Sequence, residues 1–137
     1  MTHPIDAWHE FVDHRDPGLL EDLLAEDVVF HSPVVHTPQR GKAITVLYLR
    51  GAMQVLGSPA FRYVREIRGE RDALLEFATE IDGVTINGVD LVRWDDAGRI
   101  IDFKVMVRPL KAVNILHQKM GELLAALKPA ASAQTTV

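Results

Sequence analysis

The 137-residue chain contains no cysteine. That excludes disulfides, thiolate zinc sites and cysteine nucleophiles, and it leaves the compartment open on redox grounds. No apolar run approaches the ~20 residues that a membrane-spanning helix needs. The opening "MTHPIDAWHEF" has acids and histidines where a signal peptide has a basic start and an apolar run. A cytoplasmic protein is the expectation. Positive charge is not in excess: the formal net charge is −4, which argues against nucleic acid as a partner. There is no internal repeat.

What is present is typical of a soluble globular domain, with 47% hydrophobic and 25% charged residues. The length suits one domain with a real core, expected over residues 1–127. The tail from residue 128 to 137, "PAASAQTTV" preceded by Lys128, is small, polar and Pro-containing, and reads as disordered.

Pro4 fits a helix first turn, and Ile5, Trp8 and Val12 recur at helical spacing beside Phe11. Asp16-Pro17-Gly18 breaks that helix. A short second helix carries Leu19, Leu20, Leu23 and Leu24. "VVFHSPVV", residues 28–35, is β-branched and reads as a strand that Pro33 interrupts or ends, and "HTPQRG" reads as a loop. Residues 42–56 return to helical spacing, closed by Gly57-Ser58-Pro59.

The period then becomes two. Residues 61–67, 73–81, 85–94 and 99–107 read as four strands joined by hairpin-type turns, an antiparallel meander. Asp82-Gly83 is the strongest turn signal among them. A long last helix follows Pro109, with Val113, Leu116, Met120, Leu123 and Leu127 as its apolar stripe. Helices segregated from an antiparallel sheet make an α+β domain.

Asp90 stands out on the third meander strand, between Val89 and Leu91. A buried, unpaired carboxylate costs several kcal/mol. Alternation puts Ile86, Gly88, Asp90 and Val92 on one face, and Phe103, Val105 and Val107 form an apolar face on the next strand. If the two line one cavity, Asp90 is an acid in an apolar wall with a raised pKa, able to donate a hydrogen bond or to act as a base. Otherwise it pairs with Lys104 or Arg108, or faces water.

The other candidates have plainer readings. His31 and His36 lack the helical face and third ligand of a metal site, so no metal is expected. His36, near the pocket rim, is the candidate second polar group. Ser32 lacks the Gly-x-Ser-x-Gly turn of a nucleophile. Arg62, Arg65, Arg68 and Arg71 alternate with acids and read as a solvated edge. Tyr63 and Glu76 read as structural, although period alone does not fix the face of each.

Two stretches, "LLAEDVVFHSPVVHTPQRGKAI" (residues 23–44) and "VDLVRWDDAGRIIDFKVMVRP" (residues 89–109), resemble the NTF2-like superfamily with its SnoaL-like domains. The resemblance spans residues 4–125. It implies a cone: a curved antiparallel sheet wrapped around helices, here with a long C-terminal helix. It also implies a small-molecule pocket and back-to-back dimers through the sheet. Under it, Trp8 and Tyr48 on helices and Phe30, Ser32, Ile86, Phe103, Val105 and Val107 on strands line the pocket.

Ketosteroid isomerase within this superfamily uses an aspartate base on the first strand, with a tyrosine and a protonated aspartic acid as oxyanion donors. Asp90 falls on the protonated-acid position, while the base position holds Ser32 and the tyrosine position holds Trp8. One of three roles is kept, which argues against ketosteroid isomerisation as such. The Asp-Arg-Asp set of limonene epoxide hydrolase is absent too, with Gly88 and Val105 near two of its positions. Two readings follow. One is cofactor-free proton transfer by Asp90 on an apolar, oxygen-bearing molecule (isomerisation, cyclisation or hydration); the other is a non-catalytic binding or dimerisation module.

Overall fold

The molecule is described by a computed structural model over residues 2–127. The expected tail at residues 128–137 lies outside the described residues. Helix α1 (Pro4–His14) begins with a cap from His3, whose Nδ1 accepts from the Ile5 N–H at 3.1 Å. Arg15, at φ 59°, turns the chain out of the helix. Helix α2 (Pro17–Leu23) is capped by Asp16, whose carboxylate accepts from the Gly18 N–H at 2.9 Å.

Strand β1 (Leu24–His31) starts four residues earlier than its β-branched core suggests and ends before Pro33. It lies parallel to β6 (Ile100–Arg108), so the sheet is mixed. A two-residue strand β2 (Gln39–Arg40) pairs with β1 where a plain loop was expected. It is too short and too polar to carry a period. Helix α3 (Lys42–Leu56) follows. Strands β3 (Arg62–Arg68), β4 (Asp72–Ile81), β5 (Val84–Trp94) and β6 form the expected antiparallel meander. Asp82 and Gly83 both have positive φ in the β4–β5 turn, as a tight hairpin requires. The six strands run in the order β2-β1-β6-β5-β4-β3. Helix α4 (Leu110–Leu127) closes the chain.

The core lies between one face of the sheet and three helices. Phe77, Ile86, Val92 and Phe103 on strands meet Ile5, Trp8 and Phe11 of α1, Leu49 and Met53 of α3, and Leu116 and Met120 of α4. Burying each large apolar side chain contributes about 1.5–3 kcal/mol. Trp8 and Phe103 pack as tilted rings with centroids 4.7 Å apart, and Phe61 and Phe77 stack at 5.4 Å. The expected stripe of α4 holds at Leu116 and Met120, with Ala112 also buried.

Edge strand β3 is solvated, as its arginines suggested. Arg65 pairs with Glu76 at 3.1 Å, and Arg68 bridges Glu66 at 2.6 Å and Asp6 of α1 at 2.7 Å. Such exposed pairs contribute little stability each. Their effect here is to tie α1 to the sheet edge. Arg15 ties α1 to α3, donating to the Met53 carbonyl at 3.0 Å and the Gly57 carbonyl at 3.2 Å.

Candidate functional site

Asp90 lies on the inner face of β5 and is 5% exposed. Its register partners are Leu75 on β4 and Val105 on β6, both apolar and both buried. Neither Lys104 nor Arg108 reaches it. Arg108 instead donates to the Asn87 side-chain oxygen at 2.9 Å. The partner of Asp90 is Tyr63, whose hydroxyl donates to Oδ2 at 2.7 Å. The Trp8 indole N–H donates in turn to the Tyr63 oxygen at 2.9 Å. Three side chains from α1, β3 and β5 thus form one chain of hydrogen bonds that ends on a carboxyl group.

Burial governs the electrostatics. Desolvation pushes the Asp90 pKa up to about 7, against the lowering effect of the Tyr63 hydrogen bond. Burial also raises the Tyr63 phenol well above its ordinary value, reinforced by the neighbouring Asp90 charge. At neutral pH the tyrosine therefore stays a donor, and Asp90 is divided between acid and carboxylate. No hydrogen bond reaches its Oδ1 among the described residues, and that atom is not sealed from solvent-sized space.

Asp90 opens onto an apolar cavity of about 40 Å³. Six aromatic rings stand in its wall: Trp8, Phe30, Tyr48, Phe61, Phe77 and Phe103. Val105, Met53, Leu116 and Met120 are among the aliphatic and thioether side chains of the wall, and no lysine, arginine or histidine among the described residues lines it. Ser32 is the second small polar group on the wall. Its oxygen accepts from the Val34 N–H at 3.1 Å, which leaves the hydroxyl hydrogen free to donate.

Of the residues singled out in the sequence, the cavity gathers Asp90, Trp8, Phe30, Ser32, Tyr48, Phe103 and Val105. Ile86 is buried in the core but is not part of the cavity wall. Val107 and His36 do not line this cavity; they line an adjoining groove that shares Ser32, Pro33 and Val105 with it and takes in His31, Lys104 and Met106. His36 fails to join Asp90 because the chain leaves the cavity after Val34, and both Val35 and His36 are exposed. His31 pairs with Asp102 at 2.9 Å on the outer side of the sheet, the face opposite Ser32. Among the described residues no three His, Asp or Glu side chains gather as metal ligands would.

Tyr63 is the residue that reading by alternation missed. A β-bulge between Tyr63 and Arg65 shifts the register, so Tyr63 pairs with inward-facing Phe77 while Arg65 pairs with outward-facing Glu76. The available signal was a hydroxyl-bearing ring two residues from Phe61 in an otherwise charged strand.

Comparison with known proteins bears on this geometry. A family model described as the SnoaL-like domain matches residues 5–103. The chain belongs to that family and has its NTF2-like fold. A crystal structure of a steroid delta-isomerase from Pseudomonas aeruginosa is 35% identical, with 93% of each chain covered and a TM-score of 0.87. An uncharacterised protein with a cystatin-like fold from Silicibacter pomeroyi is 34% identical over 87% of this chain and 83% of its own, with a TM-score of 0.80. An NTF2-like protein of unknown function from Mesorhizobium loti is 23% identical over 77% of this chain and 91% of its own, at a TM-score of 0.65, and speaks to fold alone. No curated protein sequence matches the chain.

Proposed function

We propose that the cavity binds a small, uncharged, largely apolar molecule bearing a hydrogen-bonding oxygen, and that Asp90 exchanges a proton with it without a cofactor. The observation that carries this reading is a buried carboxyl group facing an apolar cavity, held through one oxygen by Tyr63. A group that titrates near 7 has both forms available at neutral pH, the condition for general acid–base work. In an isomerisation, ionised Asp90 takes a proton from carbon next to a carbonyl. The Ser32 hydroxyl donates to the oxygen as charge develops there. Protonated Asp90 then returns the proton to another carbon. The 35% identity to a steroid delta-isomerase supports a β,γ-unsaturated cyclic ketone as the first compound to try.

The test is conjugation of a β,γ-unsaturated ketosteroid, followed by ultraviolet absorbance. Asp90→Asn should lose about 10²–10⁴-fold in turnover while keeping the ligand bound. Equal turnover in wild type and variant would sink the role of Asp90.

A second reading rests on Ser32, which stands where a ketosteroid isomerase keeps its base. On that reading the domain binds its ligand without converting it, and Asp90→Asn changes only stability and affinity. The outer face of the sheet supports self-association in either case. Ile67, 58% exposed, lies in register with Leu74 and Leu91, and Met106, 47% exposed, lies in register with Val89. A homodimer through this face should dissociate on Met106→Arg, read by sedimentation. No described helix is long and apolar enough to cross a membrane, and a cytoplasmic setting fits the reading.

A further inference from the structure

The cavity volume of about 40 Å³ has room for a few waters and not for a ligand of ten or more heavy atoms. A wall must yield for the site to fill. The walls are not equally tied. The sheet wall is hydrogen-bonded from strand to strand. The α1 wall is held by Trp8 to Tyr63, by His9 to Glu66 at 2.6 Å and by Arg68 to Asp6. The α4 wall has one polar tie among the described residues, Lys119 to Asp82 at 3.1 Å, and that tie is at the surface. Its inward side presents Leu116 and Met120 to the cavity.

Met53 and Met120 supply the thioethers of this wall, from α3 and α4. Both are buried. A methionine side chain is unbranched with three rotatable bonds, so it fills irregular space and leaves it at low cost. Gly51 faces the tip of Met120: a Cβ there would lie in ordinary van der Waals contact, 3.4 Å from the terminal methyl of Met120 and 3.4 Å from Leu123. The Met120 tip therefore rests over a helix position with no side chain.

We propose that Met53 and Met120 determine the size of molecule the cavity admits, filling it at rest and folding aside, with α4 yielding, as a ligand enters. The inference rests on the reading of the cavity as a ligand site. It is distinct from the chemistry at Asp90, which sits on the opposite, rigid wall.

The test uses three ketones of rising size, cyclohexanone, 2-decalone and a tetracyclic ketosteroid, titrated into protein labelled with ¹³C at the methionine methyls. The chain has four methionines, and Met106 on the outer face is the internal control. Binding should move the Met53 and Met120 signals and leave Met106 in place. Met53→Ala and Met120→Ala should shift the affinity ratio of largest to smallest ketone by about tenfold toward the largest. Met53→Leu and Met120→Leu, of similar volume but branched, should shift it the other way, and they serve if the alanine variants do not fold.

An unchanged ratio in all four variants would overturn the inference. So would movement of Met106 alone. If the ketones bind and shift the Asp90 carboxyl signal while the ratio stays fixed, the size inference falls and the ligand-site reading stands. If no ketone binds wild type or any variant, both fall.

Discussion

Glu76 and Asp90 stand one register step apart on neighbouring strands, since Leu75 pairs with Asp90 and Glu76 with Val89. They face opposite sides of the sheet, and their chemistry diverges. Glu76 accepts from the Asn87 side chain at 3.0 Å and from Arg65 at 3.1 Å, and these bonds hold its pKa below the ordinary value. Asp90 has Tyr63 and an apolar cavity, and its pKa is pushed up to about 7. A single step of alternation separates a solvated ion from a group able to trade a proton at neutral pH. The inner face of the sheet holds the buried carboxyl group, and the outer face holds charge pairs such as Arg65 with Glu76.

The largest effect that would break this contrast is the pH dependence of stability. The folded pKa of Asp90 lies above its unfolded value, so the folded state holds the proton longer. Stability from this group therefore falls as pH rises from about 4 to about 7 and is level beyond. The span is on the order of 4 kcal/mol. Urea unfolding of Asp90→Asn should show the variant gaining on wild type across that window. Glu76 has the opposite sign: its contribution is present above its unfolded pKa and fades as pH falls through the lower folded value. Glu76→Gln should lose relative to wild type near neutrality and recover toward acid. The same slope in both variants would erase the distinction between the faces.

The next effect is packing. Gly88 shares the Asp90 face, and a Cβ there would collide with the Phe77 ring and lie 2.8 Å from the Met106 carbonyl oxygen. Because one obstacle is backbone, Gly88→Ala should cost about 3 kcal/mol. Met106→Ala on the outer face should stay within about 0.5 kcal/mol for the monomer. Thermal or urea unfolding of the pair measures the contrast directly.

Tyr63→Phe sharpens it further. The change strips Asp90 of a donor and leaves the Trp8 N–H without its acceptor, at a cost of about 2 kcal/mol. It also removes the bond that lowers the Asp90 pKa, so that pKa should rise. A fall in the titration midpoint on Tyr63→Phe would contradict the assigned role. The smallest effect comes from Thr45, fully buried, whose hydroxyl has no hydrogen-bond partner among the described residues. Thr45→Val should be neutral or stabilising by up to about 1 kcal/mol, read by unfolding.

Much of the fold was legible because period is a local property. The helices α1, α3 and α4 and the four-strand meander follow from spacing alone, although the buried face of α3 runs through Thr45, Leu49, Met53 and Leu56, where spacing suggests Ile44, Leu47, Tyr48, Val55 and Leu56. The start of β1 was not legible, because Leu23 and Leu24 extend a leucine stripe and the parallel pairing with β6 spans most of the chain. Two polar residues gave no sign of β2. At the site, alternation together with the family resemblance identified Asp90, Phe103 and Val105, which the cavity gathers. It failed where geometry departs from period. A bulge turns Tyr63 inward, and the chain leaves the cavity after Val34, before His36. The size of the cavity depends on how Met53 and Met120 lie, which no sequence pattern encodes.

Every role proposed for the cavity requires Asp90 to be a desolvated acid. The most direct measurement is its carboxyl-carbon titration by NMR, assigned with Asp90→Asn. A midpoint near 7 is the predicted result. A midpoint at or below the ~3.9 of a model aspartate would place Asp90 in water or beside a cation and would contradict the central claim.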